Sequence, residues 1–179
     1  MTAMRVLRCI GLAVGSTLCV APAAPAASNG PIVVERDGRL LVVSAPGAAA
    51  RPLTFGRADH DPAVSPDGRR IAFVRGRDVW TMAVDGRSAR ALTRDGRFHT
   101  DPAWTPNGKT IIFSSGAWGG VDLAAVPAAG GSAIRRLTST PGHEERHPDV
   151  SPDGARIAFD RTGCETPHGG GHCVYVMAA

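Results

Sequence analysis

The apolar residues of this 179-residue chain fall in short runs bounded by turn residues, not in the stripes of an amphipathic helix. Ile71-Ala72-Phe73, Ile111-Ile112-Phe113 and Ile157-Ala158-Phe159 are apolar at consecutive positions, so each predicts a strand with both faces covered. Ahead of each stands a turn signal: Ser65-Pro66-Asp67-Gly68, Thr105-Pro106-Asn107-Gly108 and Ser151-Pro152-Asp153-Gly154. Proline presets φ at the second turn position and glycine accepts the strained last one, so the chain reverses there.

These runs belong to a longer repeat. Asp61 to Gly68 recurs as Asp101 to Gly108, 40 residues on, and as His147 to Gly154, 46 further. Units close with Ala91-Leu92-Thr93 and Arg136-Leu137-Thr138, and a partial copy from Ile32 to Thr54 matches Ile71 to Thr93 at an offset of 39. The second unit predicts strands at Ala63 to Ser65, Arg70 to Arg75, Asp78 to Val84 and Ala89 to Thr93, with a turn at Asp85-Gly86. Strands apolar on both faces are buried when small sheets stack face to face, and a period of roughly 20 to 50 residues is the signature of such stacking. The predicted fold is therefore all-β: a partial, open β-propeller of about three and a half to four blades of short antiparallel strands, near residues 31–54, 61–93, 101–138 and 147–178. The first unit lacks an inner strand and the last an outer one, which gives fourteen strands. These ends do not complement one another within one chain.

The string D/H-P-x-V/W-S/T-P-D/N-G, then I-x-F, then Asp78-Val79-Trp80 on the third strand and a closing Leu-Thr, resembles the propeller repeat of the TolB family. The same repeat occurs in the propellers of prolyl-oligopeptidase-type serine peptidases. The resemblance covers about residues 31 to 178, and Asp122-Leu123-Ala124 and Val174-Tyr175 each keep part of the third-strand pattern. It implies an exported, non-enzymatic platform that binds another protein in the cell envelope. The alternative it implies is the propeller fragment of a hydrolase, or a truncated gene product, whose catalytic domain is encoded elsewhere.

Glycine and proline, 22 and 14 residues, make up about a fifth of the chain and favour turns over long helices. Residues 1–27 have the parts of a secretory signal: Arg5 and Arg8, an apolar stretch from Ile10 to Val20, and Ala24-Pro25-Ala26. Export without a membrane span follows, and loss of Arg5 and Arg8 lowers the formal charge from +4 to +2. That balance, with arginines interspersed among acids and aromatics at 5%, argues against nucleic acid as a partner.

The signatures of serine hydrolases and of phosphate-binding loops are missing from the sequence. There is no G-x-S-x-G and no G-x-x-x-x-G-K, and no catalytic, cofactor-binding or metal residue is assigned and no cofactor is expected. His60, His99, His143 and His147 are predicted in the connections from an outer strand to the next inner one, beside Asp61 and Asp101. In a propeller these connections rim the channel mouth. They would form either a polar, metal-binding mouth or repeated loops whose side chains satisfy turns. Cys164 and Cys173 are the pair left after signal cleavage, and export favours a disulfide across a Gly-rich hairpin; a Cys2His2 zinc site with His168 and His172 is the alternative. Trp118, between Gly116 and Gly120, is expected either to anchor a partner or to fold over its own hairpin. Two chains pooling their blades into one ring of about eight would satisfy the open ends.

Overall fold

The computed structural model describes residues 31–179 apart from positions 46, 57, 132, 167 and 168. The predicted signal segment and His168 therefore lie outside the described residues. Sheet I contains β1 (Ile32–Arg36), β2 (Arg39–Val43) and β3 (Arg51–Pro52). Sheet II contains β4 (Asp59–Val64), β5 (Arg70–Arg75), β6 (Asp78–Ala83) and β7 (Arg90–Ala91). Sheet III contains β8 (His99–Trp104), β9 (Thr110–Ser115), β10 (Asp122–Pro127) and β11 (Arg135–Arg136). Sheet IV contains β12 (Glu145–Val150), β13 (Arg156–Thr166) and β14 (Gly169–Ala178). Each sheet is an antiparallel meander in chain order, and the four make an open β-propeller of fourteen strands. Among the described residues there is no helix, so none long and apolar enough to cross a membrane.

The repeated turn is held by its own side chains. Ser65 Oγ donates to Asp67 Oδ1 at 2.6 Å and accepts from Arg70 N at 2.9 Å, while Asp67 Oδ1 also accepts from Arg69 N. Thr105 and Asn107 reproduce this network, as do Ser151 and Asp153. Glycine closes it because Gly68, Gly108 and Gly154 sit at φ between 64° and 73°, where a side chain is strained. The hydroxyl at the head of the turn holds the Asp67 carboxyl below its ordinary range, with the Arg69 amide adding to the effect.

The closing Leu-Thr has a structural reason as well. Leu53 and Leu92 are buried, and Thr54, Thr93 and Thr138 accept through Oγ1 from the backbone N–H of Leu40, Val79 and Leu123. A side chain thus takes over the third-strand amide where the outer strand leaves the ladder. The outer strands are consequently two residues long, shorter than the predicted Ala89 to Thr93.

Sheets stack in chain order, and each interface has its own core. Ile71, Phe73 and Met82 of sheet II meet Leu40, Val42 and Leu53 of sheet I. Trp104, Ile111, Phe113, Ala124 and Val126 of sheet III meet Ala72, Val79 and Leu92 of sheet II. Ile157 and Phe159 of sheet IV meet Ile112, Leu123 and Ala125 of sheet III. Both faces of β5 and β9 are covered, which is why their apolar residues do not alternate with polar ones.

Candidate functional site

Because the strands alternate in direction, the connections fall on two ends of the arc. The first-to-second and third-to-fourth turns share one end, the turn face. The second-to-third loops and the crossings to the next sheet share the other, the connection face. On that face the loop 116–121 carries Trp118, the crossings 92–98 and 137–144 carry Asp95 and His143, and the β13–β14 hairpin projects with Cys164 and Cys173 joined as a disulfide. The hairpin strands continue past the bridge to Thr166 and Gly169.

The inner strands start earlier than the sequence suggests. The sequence pattern places His60, His99 and His147 in crossings, whereas the structure puts them in β4, β8 and β12; His143 alone of the four lies in a crossing. The reason is a β-bulge at the same place in each inner strand, between His60 and Ala63, Thr100 and Ala103, and Arg146 and Asp149. Asp61, Asp101 and His147 occupy the bulges at φ of 51°, 55° and 50°. Asp and His tolerate this left-handed conformation better than most residues, and the proline after each ends local pairing.

The bulges bring those three side chains into a row along the inner edge. Asp101 N donates to Asp61 Oδ2 at 3.3 Å, and His147 Nε2 lies 3.7 Å from Asp101 Oδ1. His60 Nδ1 is 3.0 Å from Asp61 Oδ2. At the far end His147 Nδ1 and His172 Nδ1 donate to the two oxygens of Asp160, at 2.6 and 2.9 Å. The Asp160 hydrogen bond raises the His147 pKa above its ordinary 6.5, against partial burial. Burial opposes charging of Asp160, yet hydrogen bonds from His172 and His147 outweigh it and hold that carboxyl low. The result is a line of carboxylates and imidazoles, suited to polar ligands and proton exchange.

Three predicted residues sit elsewhere. His99 is fully buried between sheets II and III, with Nε2 2.9 Å from Asp95 Oδ1 and its ring 5.1 Å from that of Phe113. It belongs to a blade junction and not to the channel mouth. His143 Nδ1 donates to Thr162 O at 2.7 Å, bracing the base of the long hairpin. Trp118 is 37% exposed and has the Arg136 guanidinium 5.2 Å from its ring centre. Asp122 fixes that arginine through two 2.9 Å bonds, and a concavity of about 150 Å³ lies between Trp118, Arg136 and His143. A second, of about 420 Å³, adjoins the other side of Trp118.

Comparison with known proteins settles the family. The TolB beta propeller domain model (PD40) matches residues 41–166. The chain belongs to the TolB beta-propeller family. Tol-Pal system protein TolB of Anaeromyxobacter dehalogenans strain 2CP-1 is 42% identical over 60 residues, 31% of this chain and 14% of that protein. The uncharacterized peptidase YuxL of Bacillus subtilis is 29% identical over 107 residues, 54% of this chain and 16% of that protein. The solved TolB from Acinetobacter baumannii aligns at a TM-score of 0.63 and 22% identity, covering 83% of this chain and 37% of that one, a likeness of fold. The chain thus spans well under two thirds of these relatives' length.

Within this TolB-family arc, several site residues escape the reading of the sequence. Asp160 takes the place of Val74 and Ser114, the residue just after the I-x-F run. Asp95 and Arg136 look like ordinary surface charges, and Asp78 reads only as part of the third-strand motif that Asp122 shares. Laying the repeats over one another is the signal for Asp160, Asp95 and Arg136, because each breaks the pattern of its neighbours.

Proposed function

We propose that this TolB-family chain is an exported, non-enzymatic protein that binds a protein partner in the cell envelope through its connection face. The observation that carries this is Trp118, a half-exposed ring braced by an arginine and flanked by a concavity on either side. An aromatic held rigidly at the centre of a polar surface is the usual anchor of a protein interface. Support for the envelope comes from the relative that is a Tol-Pal system protein. Pooling of blades between two chains into one ring belongs to the same proposal, since the apolar residues Ile32, Val34, Val174 and Val176 are exposed on the terminal sheets.

The test is a crosslinking pull-down from envelope extracts with the wild-type chain and with Trp118→Ala. A defined protein retained by the first and lost by the second is the expected result. Equal retention by both, or none by either, would sink the assignment.

The similarity to a peptidase favours a second reading, the propeller segment of a serine-peptidase-type hydrolase. Labelling the native chain and its bound proteins with a fluorophosphonate separates the two. A labelled companion supports the hydrolase, and an unlabelled one supports the platform.

A further inference from the structure

The three junctions between consecutive sheets use equivalent positions, and one junction departs from the others. The positions are the first residue of an inner strand, the sixth residue of the second strand beside it, and, on the preceding sheet, the first residue of the third strand and the second of the outer strand. Between sheets III and IV they hold Glu145, Arg161, Asp122 and Arg136, and both acids are paired: Arg161 Nε to Glu145 at 2.9 Å, Arg136 Nη2 to Asp122 at 2.9 Å. Between sheets I and II the acid Asp59 is paired with Arg75 at 2.6 Å, and Arg39 stands at the third-strand position. Between sheets II and III the same positions hold His99, Ser115, Asp78 and Ala91. Both arginines are gone, and Asp95 has been added from the crossing.

Two carboxylates therefore gather with no arginine. Asp78, Asp95 and His99 offer ligand atoms that all lie within 4.8 Å of one another. Thr93 Oγ1 donates to Asp78 Oδ1 at 3.0 Å and Arg97 N to Asp95 Oδ1 at 2.9 Å, so neighbouring groups orient both carboxylates. Among the described residues no arginine side chain pairs with either carboxylate, and the fully buried His99 faces Asp95 with Nε2, at 2.9 Å, not with its unpartnered Nδ1. Two carboxylates set against a fully buried imidazole, with no arginine to neutralise them, mark a place where a cation belongs. Asp95 reaches solvent, which gives an ion a way in.

We propose that Asp78, Asp95 and His99 bind one divalent cation, which does at this junction what two arginines do at the next. Two carboxylates and a neutral imidazole leave a formal charge of −2, which a divalent ion cancels. An oxygen-and-imidazole donor set suits manganese or zinc better than calcium or magnesium, whose sites are built from oxygen alone. The ion would tie sheet II to sheet III.

The experiment uses the whole chain, stripped with a chelator and titrated calorimetrically with Mn²⁺ and with Zn²⁺, with melting followed in parallel. Expected are one ion per chain and a melting temperature that rises with ion concentration. Asp95→Asn weakens binding at least tenfold. Ala91→Arg supplies Asp78 with the counterpart of Arg136; it abolishes binding while the metal-free melting temperature stays at or above that of the wild type. No stoichiometric ion at millimolar concentration, or binding that survives undiminished in both variants, overturns the site.

Discussion

The two ends of the arc follow different rules. On the turn face one device recurs three times with the same atoms: a hydroxyl, a carboxylate or amide two residues on, and a glycine. On the connection face the sheets diverge: two-residue links at Asp37-Gly38 and Gly76-Arg77, a loop with Trp118, and a disulfide-bridged hairpin of 23 residues from Arg156 to Ala178. Turns that only reverse the chain have one cheap solution, and repetition preserves it. Connections that meet a ligand or partner are free to differ, because inner strands and cores already fix the stack.

If this division holds, removing a repeated turn contact costs little and removing a junction contact costs much. Arg161→Ala is the harshest case. It leaves Glu145, which is fully buried, without its partner and strips the cation from above Tyr175. The expected loss is about 3–5 kcal/mol. Ser151→Ala on the turn face, where the hydroxyl is exposed, is expected to cost about 1 kcal/mol. Denaturant unfolding of both variants measures the contrast, and equal losses would erase it.

A matched glycine pair sharpens the same contrast. Gly86, in the β6–β7 turn at φ 90°, has the Leu53 carbonyl oxygen only 2.9 Å from where a Cβ would stand. That oxygen is backbone and cannot swing aside, so Gly86→Ala is expected to cost about 2 kcal/mol and to loosen sheet I from sheet II. Gly163, at φ 78°, has the His143 ring in the corresponding space, at 2.7 Å. A side chain can rotate away, so Gly163→Ala is expected to cost about 1 kcal/mol but to break the His143–Thr162 bond. Melting reports the first effect, and the His143 imidazole resonance in NMR reports the second. A silent His143 signal would mean that the hairpin base does not depend on it.

What the sequence could convey follows the same line. Strand number and stacking were legible because Pro-Asp-Gly turns and Ile-x-Phe runs act locally, and local signals survive without knowledge of the neighbours. The start of each inner strand was misread because Asp-Pro and His-Pro look like loop, whereas here Asp61, Asp101 and His147 sit in bulges inside strands. The row from Asp61 to His172 was half legible: its bulge residues repeat, but Asp160 stands on a neighbouring strand that only the fold brings close. The junction chemistry of Asp78, Asp95 and His99 was hidden further, since it depends on arginines that are missing, and a missing residue shows only against its counterparts.

The smallest expected effect lies on the inner edge and turns on pH. His147 donates to Asp160 and lies near Asp101, with Arg146 as the opposing charge, so its pKa is raised above 6.5. The stabilisation from a raised imidazole is complete below the unfolded value of about 6.5 and fades as pH climbs through the folded value. Asp160 is held low, so its contribution is complete above the unfolded carboxyl value of about 3.9 and fades as pH falls through the folded one. The two contributions overlap between about pH 4 and pH 6.5, where the edge is best held. Both histidines on Asp160 are well exposed, so solvent screens the gain, and the melting temperature in that window should exceed its value at pH 8 by only about 1–2 °C. Asp160→Asn removes the acceptor charge from both rings and should flatten this part of the profile while leaving the turn face untouched. An unchanged profile in that variant would mean that the His147–Asp160 contact does not contribute to folding stability.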